Sequence, residues 1–202
     1  MAEGIGHLAS LGAGVIKVPI GQGVELTDAQ LTQAVESAAE LGLPIVSHAL
    51  SDEDTARAAA WGIHALAHTP TSSLSEATIL AWSKGAVITT LRAFGGSATT
   101  LENLRQFHEA GATILYGTDM GNLRTPGIVE SELQAMAQAG MTPLQIIAAG
   151  TWTPATWWGL ETLGTLEVGN QASLLIVPNN PLDDASILAS PSQVWIDGAR
   201  RD

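Results

Sequence analysis

An α/β fold on a parallel sheet is what this sequence predicts, and three observations carry that expectation. Short apolar runs alternate with amphipathic stretches from residue 15 to Asp119. The amphipathic stretches open on helix-capping residues, and several close on glycine. The tail then changes character, to short apolar runs with an Asp-Gly turn signal. Strands alternating with helices argue for βαβ units. Right-handed crossovers in series lead either to a doubly wound sheet or to a (β/α) barrel.

The strand candidates, in order, are "VIKVPI", "PIVSHAL", "IHALAHT", "GAVITTL" and "TILYGTD". Between them, "LTDAQLTQAVESAAELGL" opens on Thr27 with Gln30 three residues on, a capping-box spacing. "SDEDTARAAAWG" puts Ser51 at the cap and acidic residues in the first turn, where they suit the helix dipole. "SLSEATILAWSKG" and "TLENLRQFHEAG" each end at a glycine suited to a helix C-terminus. After the loop "NLRTPG", "IVESELQAMAQAG" reads as a helix, and "TPLQIIAAGTWTPATWWGL" as two helices broken at Pro154. "ASLLIVP" and "QVWIDGARR" read as short strands. The expected organisation is a main α/β body over residues 1–164 and a small β segment over 165–202.

Composition narrows the function classes. The 202 residues carry 20 acidic side chains against 8 Lys and Arg, a formal net charge of −12. Nucleic acid is therefore not an expected partner, since affinity for phosphate backbones rests on clustered cations. There is no cysteine, so neither a disulfide framework nor thiolate chemistry enters. No apolar run approaches the length of a membrane span. The start, "MAEGIGHLASLGAG", lacks the basic beginning and long apolar core of a signal peptide, which makes the cytoplasm the default location.

Lys17, His48, His68 and Asp119 each fall at or near the C-terminal end of a strand candidate. Period-two alternation groups Lys17 with Val15, His48 with Val46, His68 with Leu66, and Asp119 with Gly117 and Leu115. In a parallel barrel such positions converge over one mouth, and Lys, His, His and Asp together make a metal-site constellation. His64 falls lower on its strand, towards the barrel floor, and His7 and His108 read as surface residues. Lys17 also stands out inside an apolar run, where an unpaired ammonium would be costly to bury.

In that order the motifs resemble the amidohydrolase superfamily, in particular its imidazolonepropionase-like and Xaa-Pro dipeptidase-like branch. "GAGVIKV" is similar to the strand-4 lysine motif, "AAELGLPIVSHA" to strand 5, "AAAWGIHALAHTP" to strand 6, and "YGTDMG" to strand 8. "ELQAMAQAGMTPLQIIAAGTWTPATWWGL" and "LGTLEVGNQASLLIVPNNPL" resemble the C-terminal run of the family, with Ser173 where an Asp is usual and Ala67 where a Glu usually precedes the strand-6 histidine. The paired-histidine HxH of strand 1 is absent from the sequence.

The resemblance implies a partial (β/α)8 TIM barrel, strands 4 to 8, with a short C-terminal β segment. It further implies a hydrolase acting on C–N (amide-type) bonds of a small-molecule substrate through a metal-bound hydroxide. Lys17 (as a carbamate), His48, His68 and Asp119 would be the metal ligands, and Asp119 the catalytic proton carrier. The implied cofactor is a divalent metal, zinc first, with one site in this chain and two in a complete family member. Arg92 in "TLRAFGGS" and Arg124 in "GNLRTPG" would line the mouth and take a substrate carboxylate. The competing reading is a non-catalytic half-barrel that self-associates as a homo-oligomer or complements an N-terminal chain, since open sheet edges associate. A phosphate-binding barrel is a weaker third reading, because no "GxGxxG" or "GxxxxGK" opens a helix.

Overall fold

A computed structural model of the chain describes residues 1–21, 23, 26–124 and 126–201. Gln22 after the first strand and Thr125 of the "GNLRTPG" loop lie outside the described residues. A first helix, α1 (Ala2–Ser10), precedes five strands: β1 (Ile16–Pro19), β2 (Ile45–His48), β3 (Ala65–Leu66), β4 (Ala86–Ile88) and β5 (Thr113–Leu115). They form one sheet in sequence order, with β1 to β4 paired in parallel. The crossovers are α2 (Asp28–Glu40), α3 (Asp52–Ala60), α4 (Glu76–Ala81) and α5 (Ala98–Glu109). Beyond β5 come α6 (Glu130–Gln138), α7 (Pro143–Ala149) and α8 (Trp152–Trp157), then the antiparallel β6 (Leu174–Ile176), β7 (Gln193–Ile196) and β8 (Ala199–Arg201).

The helix starts follow their caps. Thr27 and Gln30 form the reciprocal capping box, and Ser51 accepts from the Asp54 amide at 3.1 Å. Thr142 and Gln145 make a second box, with Pro143 at the first turn, where its missing N–H is no loss. The expected break at Pro154 does not occur. The chain breaks at Gly150–Thr151, and Pro154 sits inside the first turn of α8, where no i−4 carbonyl awaits its nitrogen. "QVWIDGARR" is two strands: Asp197 (φ 57°) and Gly198 (φ 76°) turn β7 into β8. Positive φ at both central residues is the type I′ geometry that matches strand twist.

By its internal contacts the chain divides into two compact units, Met1–Ile88 with Gln106–Thr113, and Thr89–Arg105 with Ile114–Asp202. The first is cored by Leu31, Ile45, Leu66, Trp82, Val87 and Phe107, all buried between sheet and helices. Trp82 donates its indole N–H to the Thr55 carbonyl at 3.1 Å, tying α4 to α3. The second unit is cored by Leu91, Leu104, Leu115, Leu133, Met136 and Ile146. No helix among the described residues is long and apolar enough to cross a membrane.

Candidate metal centre

Within the first unit, β1 and β2 run in register with Lys17 opposite Val46 and Pro19 opposite His48. Lys17 and His48, two residues beyond Val46, therefore emerge on one face. The register is locked at the strand ends: the Ile20 amide donates to the His48 carbonyl at 2.8 Å, and the Ala67 amide to the Ser47 carbonyl at 2.7 Å. Lys17 alternates with buried Ile16 and Val18 but is itself exposed. Exposed as it is, its ammonium bears no burial cost in this structure.

His68 reaches the same end of the sheet by a different route from the one alternation suggests. β3 stops at Leu66, and Ala67 and His68 form a bend, so the pleat cannot be extended to the histidine. The bend buries His68 to 3% exposure and brings its ring to that of half-buried His48, centroid to centroid 5.0 Å, edge to face at 76°. Two imidazoles bound through nitrogen to one tetrahedral ion, at about 2.0–2.1 Å each, have centroids about 5 Å apart. The centroid spacing of the pair matches that value. Among the described residues no set of three or more His, Cys, Asp or Glu side chains is grouped to hold a metal. Among the described residues a third protein donor would come from another residue type, and Lys17 lies on the face of His48. His64 is otherwise engaged: just before β3, it accepts the Ile45 amide on Nδ1 at 3.2 Å.

Asp119 belongs to the second unit, four residues past the end of β5, in a turn and not on the pleat. Its φ is +52°, a conformation aspartate tolerates better than most residues, and its carboxylate accepts the Asn122 side-chain amide at 2.7 Å. The Asn122 and Leu123 amides both donate to its carbonyl. Arg124 in the same loop is exposed. Arg92 is half-buried in a 3-10 turn (Arg92–Phe94) after β4, and its Nε donates to the Ser131 carbonyl at 3.0 Å.

Glu132 opens the "ELQAMAQAG" segment but is not among the candidate site residues read from the sequence. It is fully buried on α6, and its two oxygens accept the Leu91 amide at 2.8 Å and the Arg92 amide at 2.9 Å. Burial pushes its carboxyl above the usual range, against the opposing pull of the Arg92 and Leu91 amides, the Thr89 hydroxyl and the Arg92 charge. Burial likewise raises the nearby Tyr116 phenol, whose oxygen accepts the Val129 amide at 2.8 Å. A signal for Glu132 exists in the sequence: it falls four residues before Met136 and seven before Ala139, on the apolar stripe of its helix.

The sequence profile of the amidohydrolase family matches residues 12–200. The ochratoxinase of Aspergillus niger is 34% identical over 96 residues, which are 45% of this chain and 19% of that protein. Among solved structures, a Xaa-Pro dipeptidase with methionine bound in its active site superimposes with a TM-score of 0.88 at 21% identity, over 100% of this chain and 57% of its own. The A. niger ochratoxinase structure superimposes with a TM-score of 0.80 at 23% identity, over 99% of this chain and 54% of its own. The chain thus spans a little over half the length of these structures, whose fold it shares.

Proposed function

The chain belongs to the amidohydrolase family, and from that premise we propose that it is the strand-4-to-8 part of a (β/α)8-barrel hydrolase that cleaves C–N bonds of amide type in a small-molecule substrate. The observation that carries this reading is the meeting of His48 and His68, from the ends of two adjacent strands, at a spacing that fits shared coordination. A divalent ion, zinc being well suited to imidazole donors, supplies Lewis-acid polarisation of the scissile carbonyl and an acidified water.

The chain's own residues do the rest. His48 and His68 hold the ion. The Lys17 ammonium, open to solvent, gives up one proton to become an amine, which adds to carbon dioxide with loss of a second, so that the new N–C bond leaves an anion with two donor oxygens where a cation stood. Asp119 accepts a proton from the attacking water and returns it to the leaving amine nitrogen. Arg92 and Arg124 receive a substrate carboxylate through paired N–H donors.

A second reading, a half-barrel that works as a structural partner, draws on one observation. β1 pairs only with β2 among the described strands, and Leu8, Leu11 and Val15 leading into it are 48%, 71% and 40% exposed. An open edge with apolar flanks associates, so a second copy or a complementing N-terminal chain covers it in this reading. Metal analysis separates the two. The hydrolase reading expects stoichiometric zinc that is lost in His48→Ala and in His68→Ala; protein that stays metal-free after zinc loading overturns it.

A further inference from the structure

Three non-glycine residues among those described have positive φ: Thr90 at 44°, Asp119 at 52° and Asp197 at 57°. Aspartate visits this region with help from its short polar side chain, but a β-branched residue there is a steric outlier that persists only where its surroundings over-determine it. Thr90 is 3% exposed, two residues past the end of β4. Three bonds fix it and its two successors: its own amide donates to the Gly117 carbonyl at 3.1 Å, and the next two amides, Leu91 and Arg92, go to the two oxygens of Glu132. One residue back along α6 is Ser131, whose carbonyl takes the Arg92 Nε. Two consecutive residues of one helix thus hold Arg92, one by its backbone and one by its side chain. Gly96 completes the seat, since a β-carbon there would lie 2.9 Å from Arg92 Nη1.

A fully buried carboxylate is an expensive way to fill space; a carboxylate that accepts two backbone N–H groups is a way to fix a turn. We propose that Glu132 is a positioning residue: it holds the strained Thr90 turn closed and thereby sets the direction in which the Arg92 guanidinium leaves the sheet. The role of that guanidinium as a carboxylate receptor rests on the proposed hydrolase function; the clamp does not. A receptor arginine held in one orientation loses less entropy on binding than one that must be ordered.

The test uses the whole chain with two readouts, hydrogen exchange of the Leu91 and Arg92 amides and binding of N-acetylglycine as the carboxylate probe. The amide nitrogen of a glutamine cannot accept, so Glu132→Gln keeps at most one of the two bonds. Exchange at Leu91 and Arg92 is expected to speed up about tenfold or more while the β1 and β2 amides stay protected, and probe affinity to fall by about the same factor. Adding Thr90→Gly, which relieves the positive φ, is expected to restore part of the lost protection. Arg92→Lys is expected to weaken probe binding with exchange unchanged. Should Glu132→Gln not fold, Glu132→Asp carries the same test with a smaller shift in the same direction. Unchanged exchange at Leu91 and Arg92, or no recovery on adding Thr90→Gly, overturns the clamp. Absence of probe binding by the unaltered chain overturns the carboxylate reading alone, and the exchange data still decide the role of Glu132.

Discussion

Ser47 carries its hydroxyl into the fully buried interior of β2, and its Oγ has no hydrogen-bond partner among the described residues. It faces away from the side that His48 takes, since the two are neighbours on one strand. Ser47→Ala removes an unsatisfied donor without opening a large cavity, so urea denaturation is expected to show a gain of about 1 kcal/mol. Glu132 presents the opposite case, a buried polar group that is satisfied. Its pKa is raised above the ordinary 4.5, so the folded chain holds this proton more tightly than the unfolded one. Its contribution is full below that ordinary value and falls as pH rises through the raised one. The groups facing it are Arg92 and Tyr116. Stability measured from pH 4 upward is therefore expected to decline more steeply in the unaltered chain than in Glu132→Gln. Lys17, His48, His68 and Asp119 stand out in the sequence as candidates because their types, taken in order, form a set that carries chemistry. Glu132 does not, because a glutamate in a helix reads as a solvated face until its place on the apolar stripe is counted.

Among the elements, helix starts were legible and strand ends were not, for one physical reason. A cap is a local contract: Thr27 with Gln30 and Ser51 with Asp54 satisfy amides within three residues. A strand ends where its neighbour stops pairing, which no local pattern records. "IHALAHT" accordingly pairs only at Ala65 and Leu66, and the two histidines meet through a bend that period-two counting could not foresee. Local rules also misplaced the break in "TPLQIIAAGTWTPATWWGL", where a proline in a first turn costs nothing. Besides the Trp82 bond, a second contact joins α3 to α4: the Asp52 carboxylate, in the first turn of α3, accepts the Ser75 amide at 2.9 Å at the cap of α4. That amide first, with the Thr78 and Ser75 hydroxyls, holds the Asp52 pKa below its ordinary 3.8. Its contribution is present above that value and lost as pH falls through the lowered one, the reverse of Glu132. Because Asp52 is close to solvent, Asp52→Ala is expected to cost only about 0.5 kcal/mol at neutral pH, with less difference in acid.

At the scale of the whole molecule, the α/β class, the parallel sheet and the β character of the tail were readable from alternation and turn chemistry, whereas alternation alone left the order of the strands open between a doubly wound sheet and a barrel. Among the described strands β1 pairs only with β2, and the proposed association through its other edge has its own check. Val15→Lys sets a charge beside that edge, and light scattering after size exclusion is expected to show a lower associated fraction than for the unaltered chain. The central claim is the pairing of His48 and His68 around a divalent ion. It is tested most directly by calorimetric titration of zinc into metal-free chain, alongside His48→Ala and His68→Ala. One equivalent is expected to bind per chain, with a zinc-dependent rise in the unfolding temperature, and both effects are expected to be lost in each variant. No zinc uptake, or uptake that neither substitution reduces, would contradict it.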